Sequence, residues 1–147
     1  MRLLFIAIII YIFQLPCILA QDGDLHDTAG KVQCATDRVD YSGNDTIRLT
    51  LTNGSEDAFV VGLRCGRFLE MSFQRMEDDR WSEDQWFDYM ALRCMTVMDT
   101  VQAGHAFSFD LPAAKFGPVG TFRLAVKVFR PGQNDTEIIF SDTFRVE

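Results

Sequence analysis

The chain has 147 residues, enough for a single domain with its own core. It carries 21 Asp and Glu against 14 Lys and Arg, for a net charge of −7. That balance argues against DNA, RNA or anionic lipid as partners, since all three are held by clusters of basic side chains.

The chain opens on Met1 and Arg2, followed by an apolar run from Leu3 to Phe13 and then Gln14-Leu15-Pro16-Cys17-Ile18-Leu19-Ala20. A short positive start, an apolar run and a small residue ahead of a polar segment form an export signal, residues 1–20, with cleavage expected between Ala20 and Gln21. Two other outcomes stay open. An uncleaved anchor needs roughly 20 predominantly apolar residues, and residues 3–20 are slightly short, with Gln14 and Pro16 inside. A lipid-modified Cys17 would want a small residue before it, and Pro16 is a poor one. A membrane is therefore expected to be touched only through an uncleaved signal or a lipid. The product is otherwise secreted, or placed in the periplasm or cell envelope. Removing residues 1–20 takes away Arg2 and no acidic group, so the exported chain is one unit more negative than the whole.

Residues 21–30 are polar and aperiodic and read as a flexible lead-in to one domain over residues 31–147. From Lys31 onward the hydrophobic period is two. Ile47, Leu49 and Leu51 alternate with Arg48, Thr50 and Thr52. Phe107, Phe109 and Leu111 alternate with Ser108 and Asp110. Phe122, Leu124, Val126 and Val128 form another inward row, with Arg123 and Lys127 on the wet side, and Phe140, Phe144 and Val146 close the chain in the same way. Turn signals lie between these runs at Ser42-Gly43-Asn44-Asp45, Asn53-Gly54-Ser55, Ala103-Gly104, Gly117-Pro118 and Pro131-Gly132-Gln133-Asn134. Seven or eight short strands at this spacing predict an all-β, immunoglobulin-like antiparallel β-sandwich, and no stretch offers an amphipathic helix.

The segment from Arg67 to Arg93 breaks the rhythm. Phe68 to Arg75 reads as one strand and Glu77-Asp78-Asp79 as a turn. Arg80 to Tyr89 then gathers four aromatics, Trp81, Trp86, Phe87 and Tyr89, among acidic residues. Exposed aromatics rimmed by charge are typical anchors of an interface, so these four are the candidate protein contact. The competing expectation is that they fill the core or cover an edge strand.

Cys17 leaves with the signal, so Cys34, Cys65 and Cys94 remain, one bridge and one thiol in an oxidising compartment. Three pairings are possible. Cys65 and Cys94 both follow Leu-Arg at apparent strand ends, which favours Cys65–Cys94. Cys34 shares a strand face with Val32 and reads as a small buried hydrophobe.

The strand and turn pattern resembles the bacterial immunoglobulin-like domains of secreted and envelope-attached proteins. The likeness runs through Tyr41-Ser42-Gly43 with the strand Ile47 to Asn53, Leu69-Glu70 through Asp79-Arg80-Trp81, Ala103-Gly104 with the strand Ala106 to Leu111, and Gly120-Thr121-Phe122-Arg123-Leu124. It covers roughly residues 31–130 and implies a fold and an exported setting, with no catalytic or ligand residue to carry over. This chain departs in having Asp79-Arg80 where Asp-Gly is usual, and in its longer aromatic stretch. A more distant architectural likeness is to the intracellular proteinase inhibitor of bacilli.

Chemistry finds little support. His26 lies in the lead-in and His105 in a turn, neither beside a nucleophile and an orienting carboxylate. Asp22, Asp24 and Asp27 lack the spacing of a calcium loop, and the cysteines are too far apart for a zinc site. Glu83, Asp84 and Asp88 offer carboxylates but no evident sugar cleft. No catalytic residue, metal or cofactor is expected. The sequons at Asn44, Asn53 and Asn134 are ordinary turn residues if the source is bacterial, and glycan acceptors in a eukaryotic secretory route. Three functions stay in view: a binding module for an unknown protein or surface polymer, a protease inhibitor using a loop at Arg93–Thr100 with Met95 and Met98, and a spacer without a ligand.

Overall fold

The computed structural model describes residues 31–132 and 136–147. The export segment, the lead-in with His26, Asp22, Asp24 and Asp27, and the Asn134 sequon lie outside the described residues.

In chain order the strands are β1 (Val32–Thr36), β2 (Asp40–Tyr41), β3 (Thr46–Asn53), β4 (Phe59–Arg64), β5 (Phe68–Leu69), β6 (Met71–Glu77), β7 (Arg80–Trp81), β8 (Gln85–Trp86), β9 (Thr96–Val101), β10 (Ala106–Pro112), β11 (Gly120–Phe129), β12 (Thr136–Phe140) and β13 (Phe144–Val146). β3 lies between β1 and β10, antiparallel to both, in a three-stranded sheet. The other ten strands form a second sheet built around β11. β12 and β13 flank one side of β11, and β4 and β6 the other. β13 also pairs with β2, in parallel. The only helical pieces among the described residues are two 3-10 turns, Asp88–Ala91 and Ala113–Phe116. None of these helices is long and apolar enough to cross a membrane.

The fold is an all-β sandwich, and the alternation read from sequence builds it. Ile47, Leu49 and Leu51 of β3 share one buried core with Phe122, Leu124, Val126 and Val128 of β11. Each such side chain, taken out of water, contributes about 1.5–3 kcal/mol. Phe73, Phe116, Phe122 and Phe144 interlock at ring-centroid distances of 5.1 to 6.1 Å, mostly edge-on or tilted, geometries that suit the ring quadrupole.

Among the described residues thirteen strands stand where seven or eight were expected, because long runs are broken by local geometry. The expected single strand from Phe68 to Arg75 is interrupted at Glu70, whose N–H donates to the Gly62 carbonyl at 2.8 Å. The chain steps there from pairing with β4, Leu69 opposite Leu63, to pairing with β11, Met71 opposite Val126. Phe140 is a second departure. It stands opposite Ala125 on the outer face, while Phe144 and Val146 are buried inside. Ser141 breaks the alternation between them by accepting the Leu124 N–H on its hydroxyl oxygen at 2.9 Å.

Cys34 is buried and unpaired. Burial, and after it the charge of Asp142, pushes its thiol from 9.0 up to about 12. Burial also pushes the Tyr89 phenol up, helped by Asp88. The folded chain therefore keeps these protons to higher pH than the unfolded chain. Their contribution to stability is full below pH ~9 for Cys34 and below pH ~10 for Tyr89, and it falls as pH rises past those values, by about 1.4 kcal/mol per pH unit for each proton that only the unfolded chain has lost. A Cys34→Ala variant should lose less stability than the native chain between about pH 9 and about pH 10, measured by urea unfolding. Parallel declines of the two midpoints would show that Cys34 carries no linkage.

Candidate binding face

The aromatic segment splits in two. β8 pairs with β6, placing Trp86 opposite Ser72, and Ser72 lies opposite Ala125 of β11, an outward position. Trp86 therefore points outward and is 58% exposed. Phe87, one residue on, turns inward, and the 3-10 turn Asp88–Ala91 brings Tyr89 in after it. Both are buried, which corrects their expected place in the protein contact. Phe87 sits 4.9 Å from Phe73 and 5.4 Å from Tyr89. The Tyr89 hydroxyl donates to the Leu69 carbonyl at 2.9 Å, which gives its polar end a partner inside. The sandwich needs a cover at this side, and these two rings supply it.

The outward residues form a face that spans four strands. Trp86, Ser72, Ala125 and Phe140 make one cross-strand row from β8 to β12, about 14 Å across at ~4.8 Å per strand. Ser72 and Ala125 point outward yet are only 2% and 4% exposed. They form a floor of small side chains between the two aromatic ends. In the next row the Arg123 guanidinium lies between the rings of Trp81 and Phe140, 4.4 and 4.0 Å from their centroids. Its Nε donates to Gln74 at 2.8 Å, and the Gln74 amide donates to Asp84 at 2.9 Å. Ile138 and Lys127, opposite each other, continue the face. Sequence reading placed Trp81 and Trp86 in this patch and missed Arg123 and Phe140. The wet-side position of Arg123 and its pairing with an aromatic only emerge once β11 and β12 are in register.

A second concave feature lies between the sheets, a mainly apolar cavity of about 350 Å³. Phe68, Tyr89, Leu92, Phe109 and Leu111 line it. Two ion pairs stand at its rim, Lys115 with Asp88 at 2.6 Å and Arg48 with Asp110 at 2.8 Å. The Lys115 hydrogen bond holds the Asp88 carboxyl below its ordinary value.

Cys65 and Cys94 form a disulfide. The segment expected as an inhibitor's loop, Arg93–Thr100, is corrected: from Thr96 onward it is strand β9, paired with β4 from Arg64 to Phe59. Backbone pairing holds it flat against the sheet, so only Arg93, Cys94 and Met95 precede it as loop. His105 is exposed, its Nδ1 3.0 Å from the Ala103 carbonyl. Among the described residues, no group of three or more His, Cys, Asp or Glu is placed to hold a metal ion. Asn53 is fully buried, its amide donating to the Asp57 and Val101 carbonyls at 2.9 and 3.0 Å. In the folded chain that nitrogen is out of reach, whereas Asn44 is exposed in the turn before β3.

No protein-family model matches the chain, and no curated protein matches it. Among solved structures it is similar to Spo0M, a sporulation control protein from Bacillus subtilis, at 15% sequence identity and a TM-score of 0.38. The match covers 78% of this chain and 49% of that one, so the chain spans about half the length of Spo0M.

Proposed function

We propose that the chain is an exported, non-catalytic binding module that holds a partner protein against the outer face of its larger sheet. The observation that carries this reading is the row from Trp86 to Phe140 with Arg123 stacked between Trp81 and Phe140. Trp and Arg dominate the energetics of protein interfaces, and a rigid sheet presents them with little ordering cost. The face carries basic groups within an acidic molecule, with Asp84 in the same network. Its outward positions on β11 hold Arg123 and Lys127, so it complements a partner surface that mixes apolar and acidic groups. The export pattern of residues 1–20 and the Cys65–Cys94 disulfide support a secreted or envelope setting.

The test is affinity capture from envelope and culture extracts, with the purified protein and a Trp86→Ala variant as baits. The expected result is a protein held by the native bait and lost from the variant. Its measured affinity should fall about 30-fold, the loss of ~2 kcal/mol typical of a hot-spot residue. A polymer in place of a protein would replace the partner class. Equal capture by both baits, or none by either, would remove the reading and leave a spacer.

A further inference from the structure

Strand β9 is an open edge of the larger sheet. Among the described residues it pairs only with β4 and leaves its other side open. Exposed edges are normally blunted by shortness, Lys, Pro or a covering element. β7 and β8 are two residues each, β10 carries Pro112 at its end, β1 bridges at Cys34 to Ser141, and β12 is five residues long. β9 has six residues, Thr-Val-Met-Asp-Thr-Val, with no Lys and no Pro. Val97 and Met98 are 52% and 51% exposed, on opposite faces, and Met95 just before them is 83% exposed.

The direction of its backbone groups follows from the pairing. The Cys65 N–H donates to the Met95 carbonyl, so Met95, Val97, Asp99 and Val101 address β4. Thr96, Met98 and Thr100 address the open side. The Thr100 N–H confirms this, because it is met only by the neighbouring Asp99 carboxylate at 2.9 Å.

This open edge is complementary to itself. In an antiparallel pair centred on Met98, Met98 of one copy faces Met98 of the other and Thr96 faces Thr100. All three outward residues then meet outward residues, so each N–H finds a carbonyl. Thr opposite Thr is a favoured cross-strand pair. Asp99, the single charged residue of the strand, faces Val97 rather than another acid.

We propose that β9 is a self-association edge, through which two copies pair antiparallel about a two-fold axis at Met98 and join their larger sheets into one. The axis is perpendicular to the sheet, so both outer faces point the same way. The inference goes beyond the binding face and does not rest on it.

Light scattering of the purified protein across a concentration series tests it. A dimer that grows with concentration is expected. Met98→Lys, which sets two ammonium groups against each other at the axis, should weaken it at least tenfold. Asp99→Ala, which frees the Thr100 N–H for the second copy, should strengthen it. For register, Met98→Cys should cross-link two copies on oxidation while Thr100→Cys, opposite Thr96, should not. A native chain and an Asp99→Ala variant that both stay monomeric, or a dimer unmoved by Met98→Lys, would overturn the proposal.

Discussion

Replacing Phe87 by alanine should destabilise the fold by about 3–5 kcal/mol, while replacing Trp86, its neighbour, should change stability by less than about 1 kcal/mol. The two residues differ in what their rings touch. Phe87 is buried against Phe73, Tyr89 and Phe116, with ring centroids at 4.9, 5.4 and 5.5 Å. Removing it opens a cavity that these neighbours can fill only in part, so the lost transfer free energy and the lost contacts add. Tyr89 would also lose the ring stacked on one of its faces, its remaining stack being Phe68 at 5.0 Å. Trp86 lies mainly in water above Ser72, and its loss leaves no void. Small domains are stable by only about 5–15 kcal/mol, so Phe87→Ala takes away a large share. Urea unfolding followed by circular dichroism reads both values. If Trp86→Ala proved as damaging as Phe87→Ala, the assignment of the two rings to opposite faces would fall, and the outer binding face with it.

The contrast also shows which parts of this structure can be read from sequence. A strand with one buried face writes a period of two into its residues, and β3 and β11 do so plainly: Ile47, Leu49 and Leu51, or Phe122, Leu124, Val126 and Val128. Their register then follows from burying those rows against each other. The stretch from Trp81 to Tyr89 carries no such period, since it turns outward at Trp86, inward at Phe87 and into a 3-10 turn at Asp88. Which rings it buries is decided by an uncovered side of the sandwich, a tertiary demand that no local pattern records. β9 fails for the opposite reason. An edge strand with four successive exposed residues has no buried face to alternate, so Met95 to Thr100 looks like loop until β4 is placed beside it. Arg123 is a third case. Its position on the wet face of β11 is legible, yet its stacking between Trp81 and Phe140 depends on two other strands.

Reducing the Cys65–Cys94 bridge should lower stability by about 3–4 kcal/mol in the chain-entropy description, given a sequence separation of 29. The bond closes a loop that contains β5 to β8 and the turn carrying Tyr89, so the cross-linked unfolded chain has far fewer arrangements to lose on folding. In the folded state it ties the turn after β4 to the approach to β9. The Cys65 N–H bond to Met95 and an Arg64 bond to the Leu92 carbonyl at 2.6 Å brace the same junction. Those bonds can persist without the disulfide, so the reduced protein should still fold, with a lower urea midpoint and a larger dependence on urea as its unfolded state expands. A Cys65→Ala/Cys94→Ala variant should match the reduced native chain and ignore reductant. Cys34 cannot substitute for either partner, because it is buried with a thiol held protonated to about pH 12, and only the thiolate exchanges. Identical midpoints with and without reductant would show instead that the backbone junction alone fixes β9 to the sheet.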